Sequence, residues 1–569
     1  MKIRVLKSDA TLRSSDATSL RSTRKGVVLA AVVVFTLIFT LLGFSVLSVV
    51  NSEIVLAQKE PSSKQAFYAA EAGTEYGVAK LNKLLTENRK AVDLCGEADI
   101  SAYFQIPSPT LDGFTFDVFT IEKVGVVETK VIESGPCKEM EASIQKYKIT
   151  SQVTSNGPRS TSARLVQWIE DQRVSLFQFA AFYDQDLELE PGPAMTIKGR
   201  IHSNHDIYLG CNTTLSIDSY LTSALNIYRG NKPGDTGEEG GTVRIKDSNG
   251  DYKIMNFDST DPSWATKAIN TWGGTVRSQV HATSELKLPI PIEDEPIEII
   301  KRGDSEDSEA LKEARLYWQA DLRIIDGVPY DKSGNVVDLT YNDGGNVINP
   351  VDMSKSFHNY REGKDIKVTE IDISKLVGSG KFPADGILYV STHLAGSDKQ
   401  DGVRLVNGSA LPSGGLTVTT DNPLYIRGDY NLNKAPASVL CDALNILSNS
   451  WQDGKVCPSA SNTQVNSCIV AGHTPTSYAG GYGGGLENIP RFLEKWDGAA
   501  FKWSGSIDSL WYSEIATGKW IYGSPYYTAP FRDWEFDQQL LNVSNLPPGT
   551  PLVCISHRSG WEEGFNEED

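Results

Sequence analysis

Residues of the types that do chemistry are present in this 569-residue chain, but few stand in a working arrangement. His202-x-x-His205-Asp206 offers two imidazoles and a carboxylate that could ligate a metal. On an extended strand, however, positions three apart face opposite sides, so the triplet reads as a polar turn. Asp206, Asp429 and Arg427 are candidates by type for glycan-cleaving chemistry, which needs paired acids or an acid beside a positioned base. Surface charge accounts for them equally well, and Arg427-Gly428-Asp429 reads as a Gly-centred strand end. No G-x-S-x-G, H-E-x-x-H or complete P-loop occurs, since Gly378-Ser379-Gly380-Lys381 is followed by Phe382. Asp247-Ser-Asn-Gly-Asp and Asp331-Lys-Ser-Gly-Asn lack the terminal bidentate Glu of a calcium loop and read as hairpin turns. The expectation is therefore no enzyme, no cofactor and no metal.

Seven cysteines contain no C-x-x-C pair, which argues against structural zinc. Cys95 with Cys137, and Cys457 with Cys468, have neighbourhoods suggesting hairpin-like loops, and disulfides are expected there if the region lies outside the cytoplasm. Sequence does not fix the connectivity, and the odd count leaves a thiol over. The net charge is −18; beyond the first twenty-five residues, 47 basic residues face 70 acidic ones. So acidic a surface repels phosphate backbones, and no nucleic-acid partner is expected.

The elements that would position any site begin with Gly26–Val50, twenty-five residues without a charge. As a helix rising about 1.5 Å per residue, it is long enough to cross a bilayer core of about 30 Å. Seven Lys/Arg against two acids precede it, so residues 1–25 read as a disordered cytoplasmic leader and the rest as exported. A cleaved secretory signal, cut after Ala57, is the competing reading, although the apolar run is long for one. Pro61 predicts a kink or break, with helix resuming at Ser62 or Ser63. From there Phe67, Ala70, Thr74, Val78, Leu81 and Leu85 share one face, and Ala66, Ala69, Ala70, Ala72, Gly73 and Gly77 permit close backbone approach. Glu71 and Glu75, like charges at i,i+4, hint at a partner elsewhere for one of them.

The Arg-Lys-Gly junction, the apolar helix ending in Leu-Leu-Gly-Phe-Ser and the phrase Ala66-Phe-Tyr-Ala-Ala-Glu-Ala-Gly73 together resemble the N-terminus of PilX-type minor pilins over residues 24–85. The resemblance implies a prepilin-peptidase cut after Gly26, with Val27 as the mature N-terminus. It also implies a helix that anchors first and then packs in a filament core, with Phe67, Ala70, Glu71 and Gly73 as the packing positions just above the membrane. Ala31 stands where most type IV pilins carry Glu, a departure common among minor pilins.

Alternation in 114–124, 146–156 and 161–170 predicts a small antiparallel sheet packed on the helix near Leu81, within a pilin-like unit spanning 91–173. Residues 174–435 show short apolar pairs punctuated by Gly and Asn, in Met195–Tyr228 and again from Ile387 to Ile426, with an insertion over 229–385 that holds a Gly-rich loop at Gly230–Gly241. That cadence suggests rungs of a parallel β-helix; a β-sandwich is the alternative. Residues 436–569 hold seven of the eleven tryptophans and read as an α+β unit with helices at 437–453 and 486–496. Phrases there (YGGGLENIPRFLEKW, DWEFDQQLLNVSNLPPGTPLV) are similar to C-terminal regions of large PilX-associated surface proteins.

The expected whole is an α+β, β-rich, single-span protein of the bacterial inner membrane. Its role is that of a minor pilin-like subunit of a type IV pilus or type II secretion-like filament, displaying an acidic ectodomain at the tip or cell surface. Its partners would be the membrane, other pilin-like subunits and prepilin peptidase. The alternative is a membrane-anchored adhesin or glycan-active envelope enzyme that joins no filament.

Overall fold

A computed structural model describes residues 21–564, apart from 134, 136, 157–159, 236, 238–239, 397, 478–481, 484 and 519–525. The expected leader and the Gly230–Gly241 loop fall partly outside these residues. The chain is α+β and strand-rich, 38% strand against 21% helix, as its β-branched alternation predicts.

Helix α1, Arg21–Glu87, runs 67 residues and passes through Pro61 without a break. The expected break is thus corrected. Proline's fixed φ is itself helical, and the lost hydrogen bond is outweighed by helix on both sides. Residues 21–25, expected in the leader, already belong to this helix. After Asn88 a short helix α2, Arg89–Leu94, turns the chain toward the sheet.

Three strands follow, β1 (Phe114–Val131), β2 (Glu141–Ser155) and β3 (Ser162–Ser175), each antiparallel to the next. A fourth joins them from the far end of the sequence. Leu552–Gly564 pairs antiparallel with β3, from Ser175↔Leu552 to Arg164↔Gly564. Residues 176–551 are therefore an insertion between two adjacent strands, and the sheet does not end near residue 173. The expected self-contained unit over 436–569 is corrected on this point.

The insertion is a coil of short parallel strands. Ala181–Tyr183, Ile201–Ser203 and Leu221–Ser223 stack in register at twenty-residue steps, as do Leu187–Leu189, Ile207–Leu209 and Ile227–Arg229 around the next corner. Leu187, Ile207 and Ile227 point inward and are fully buried. The corners repeat as well. Asp186 Oδ1 accepts from the Asp206 N–H (3.2 Å), and Asp206 Oδ1 accepts from the Asn226 N–H (2.9 Å). Ser203 and Ser223 each donate back to the preceding coil, to Gln185 O and His205 O. Such ladders satisfy the backbone groups that a tight corner strands.

The order of coils in space is not their order in sequence. Ala181–Tyr183 lies beside Ile507–Ser509, which stacks on Cys468–Ala471, then Ala437–Cys441, Leu416–Thr419, Ile387–Ser391 and Leu322–Ile325. The chain enters in mid-coil, climbs to one end, crosses to the other and climbs back to its entry point. One end is sealed by the helix Trp264–Trp272, with Trp264 and Trp272 buried. Entry and exit thereby meet, which lets both flanking segments join one small sheet.

The tryptophan-rich region belongs to this coil. Residues 437–453, expected as a helix, form the strands Ala437–Cys441 and Leu444–Leu447, and 486–496 holds a single 3-10 turn and the strand Pro490–Phe492. Leu440, Leu444 and Leu447 sit at helical spacing, but both faces of a coil strand are buried here, so a continuous apolar run suits a strand equally. Within the insertion over 229–385 lie two short helices, Glu309–Ala314 and Leu316–Gln319.

Candidate functional site

Helix α1 has two unlike halves. Ala30–Glu53 is long and apolar enough to cross a membrane, and none of it is covered by the rest of the chain. Phe35, Phe39 and Phe44 are each more than 60% exposed. Four of its five hydroxyls add little polarity, since Thr36, Thr40, Ser45 and Ser52 bond back to carbonyls one turn earlier. Such a surface requires lipid or other apolar helices around it.

The second half is seated on the sheet. Ala66, Ala69 and Ala70 pack with Val153, Ala163 and Leu165, while Val78, Leu81 and Leu85 pack with Ile121, Tyr147, Ile149 and Ile169. The predicted face is the buried one, except that Phe67 is only half-buried. The small residues serve this seat. A Cβ on Gly73 would meet Ser151 Oγ and lie 2.7 Å from the Phe116 ring, and one on Gly77 would lie 2.5 Å from Ile149. Ala70 and Gly73 are thus occupied within the chain and unavailable for contacts with sister helices, which corrects that expectation. A helix laid flat on its own sheet must bury one stripe there, and this is the stripe with the smallest side chains. Gly26 and Val27 lie within α1.

Gly73→Ala tests the seat by sign. In a free helix the change stabilises by about 1 kcal/mol; here overpacking is expected to cost about 1–3 kcal/mol. Urea unfolding of the full-length protein in detergent reads the difference, and a gain would mean that the helix is not seated as described.

Of the two like charges, Glu75 has the partner. Its Oε2 accepts from Arg558 Nη2 at 2.7 Å, tying the helix to the C-terminal strand, and the bond from Arg558 holds the Glu75 carboxyl below its usual range. Glu71 is exposed.

The residues singled out for chemistry are not brought together as a catalytic group. His202 is buried, its Nδ1 sharing a hydrogen bond with the Thr222 hydroxyl (2.8 Å) and its Nε2 with Asn204 Oδ1 (3.0 Å). Burial pushes its pKa down to about 4, so it is neutral and fully engaged. His205 lies past the end of that strand, half-exposed and 3.9 Å from Asp186. Asp206 serves a corner ladder, and Asp429 accepts from the Gln464 N–H at 2.8 Å. Arg427 donates to the Trp451 carbonyl, at 3.4 Å. Asp247 and Asp331 each accept backbone N–H groups of their own turns. One pair escaped the sequence reading: His473 Nδ1 lies 2.7 Å from Ser509 Oγ. Both are buried, and burial pushes the His473 pKa down to about 3, too low for a general base at neutral pH.

The cysteines are unpaired among the described residues, so neither expected disulfide is present. Cys95 lies in the core between helix and sheet and Cys137 in the core between sheet and coil. Cys468 is inside a coil strand, whereas Cys457 is set against the Tyr526 carbonyl at 2.7 Å. Each pair is divided between different packing environments.

No protein-family model matches the sequence, and no curated protein does. Among solved structures, the chain is similar to the competence-associated pilin ComZ from Thermus thermophilus at 12% identity and a TM-score of 0.24, over 89% of this chain and 98% of that one. So slight a likeness establishes neither fold nor role.

Proposed function

We propose that the chain is a minor pilin-like structural subunit, not an enzyme, that enters a type IV pilus or type II secretion-like filament and displays its acidic coil at the tip or cell surface. The observation that carries this reading is the division of α1. Its first half is bare and apolar, while its second half is locked to a sheet by its smallest residues. In the inner membrane, with the basic leader in the cytoplasm, lipid covers the bare half. In a filament, the same half of neighbouring subunits would replace lipid at little cost, because both surroundings are apolar. The seat carries the sheet and the coil along as one load. Contacts above the membrane then fall to the outer face of α1, where Tyr68, Glu71 and Ala72 are exposed.

The test is the mature N-terminus in cells, read by mass spectrometry. Cleavage by prepilin peptidase gives Val27. Retention of Met1 would move the reading to an anchored adhesin without a filament, and a start at Gln58 would remove the anchor and the proposal with it.

A further inference from the structure

A cleft of about 1090 Å³ opens where α2 meets the coil. It is bounded by α2, by residues 288–290, by the short helices Glu309–Ala314 and Leu316–Gln319, and by residues 549–552 at the start of the closing strand. Its volume lies at the upper end of what small-ligand sites occupy, roughly 300–1,000 Å³. The walls are apolar. Leu288, Pro289, Ala314 and Leu552 are half-buried there, beside the buried Leu316 and Ile387. Leu94, on α2, lines the same cleft and is 76% exposed. Single apolar side chains on a surface are ordinary, whereas several gathered into one cleft from four stretches of chain mark a binding surface.

The charges at the rim select among apolar ligands. Each acid is already engaged: Asp93 with Arg173 (2.6 Å), Glu309 with Lys312 (2.8 Å), Glu313 with the Lys90 N–H (3.1 Å) and Asp385 with the Asp321 N–H (3.1 Å). Of the bases, Arg89 is held by Asp171 at 2.7 Å and Lys312 by Glu309, while Lys332 lies 3.6 Å from Asp321. Lys90, exposed on α2, has no ion-pair partner among the described residues. A cationic head would find no unengaged acid here, whereas a single anionic head meets one unengaged base.

We infer that this cleft binds a long-chain carboxylate, a fatty acid taken up as a free monomer, with its chain along the apolar walls and its carboxylate at Lys90. The bilayer itself does not fill the cleft. From Glu53, where the apolar span ends, to Glu87 the unbroken helix α1 rises about 50 Å, several times the depth of a headgroup layer. A small anion such as phosphate would leave the apolar walls to water, and an uncharged hydrocarbon would leave Lys90 unmet. The site does not depend on filament assembly, since a chain that keeps Met1 carries the same cleft.

Photo-crosslinking of the full-length protein in phosphatidylcholine nanodiscs with a diazirine-bearing palmitate tests the assignment. Probe dissolved in the disc should label Ala30–Glu53 in every variant, which gives an internal measure of delivery. Adducts are expected in addition within 91–94, 288–290 and 549–552. Excess unlabelled palmitate should cut those adducts about tenfold, and its uncharged methyl ester should not. Lys90→Ala and Leu94→Asp should each lower them about tenfold relative to the span, the first by removing the charge-assisted bond and the second by placing a charge on the apolar wall. Both residues are exposed, so neither change threatens the fold. Adducts confined to Ala30–Glu53, equal displacement by the methyl ester, or labelling of the cleft unchanged in Lys90→Ala would overturn the proposal.

Discussion

Arg173→Leu is expected to destabilise the helix–sheet unit by about 3–5 kcal/mol, the cost of removing one member of a buried charge network. Arg173 donates to both oxygens of Asp93 in α2, at 2.6 and 2.8 Å, and to Asp171 at 2.9 Å. Arg89 donates to the same Asp171 at 2.7 Å. The Asp171 side chain is only 3% exposed and that of Arg173 11%. Leucine would leave Asp93, which is 32% exposed, to water in place of its two-pronged partner, and leave the buried Asp171 to Arg89 alone, where water cannot compensate. The network joins the turn after α1 to β3, which pairs directly with the C-terminal strand, so the damage should spread to the closing strand. Hydrogen exchange over Ser162–Ser175 and Leu552–Gly564 in the full-length protein reads it locally. Arg558→Ala is the control. Its pair with Glu75 is half-exposed on both sides and should be worth at most about 1 kcal/mol. Equal effects of the two substitutions would show that the Arg173 network does not hold the unit together.

What the sequence made legible follows from the range of the forces involved. The three consecutive strands of the small sheet were readable because each alternates against an immediate neighbour, and so was the seated face of α1 from Ala70 to Leu85. The closing strand was not. Val553 and Ile555 alternate as a strand should, but nothing local says that their partner is β3, nearly four hundred residues earlier. The coil was visible where short apolar pairs recur, from Met195 to Tyr228 and again from Ile387 to Ile426, and obscure where loops stretch the step, as between Cys468 and Ile507. Glycine gave the opposite trouble. Gly73 announced a close approach correctly without saying that the approaching groups would be side chains of the same chain, Ser151 and Phe116.

Glu188→Gln is expected to remove a pH dependence that originates at the seam where the returning coil meets the point of entry. Glu188 follows the entry strand Ala181–Tyr183 by one corner and is 4% exposed. It accepts from the Thr476 hydroxyl at 2.8 Å, with Lys232 at 3.8 Å and the carboxylates of Glu487 and Asp235 nearby. Burial outweighs the lysine and pushes its pKa up from 4.5 to about 7. Glu190, also desolvated and facing Asp235, is pushed up to about 10. The folded protein therefore keeps protons that the unfolded chain has already released. Stability from Glu188 is complete below pH 4.5 and is lost as pH rises through about 7, a swing of about 3 kcal/mol; Glu190 continues the fall at higher pH. Thermal melting of the full-length protein at pH 5 and pH 8 should show the parent losing ground at the higher value. The glutamine variant, neutral throughout and still able to accept from Thr476, should lose distinctly less. An identical slope in the two proteins would mean that the seam is hydrated and that the carboxyl ionises there without penalty. A parent more stable at pH 8 than its Glu188→Gln variant would mean that Lys232, not burial, governs the site, and that the seam is held shut by an ion pair.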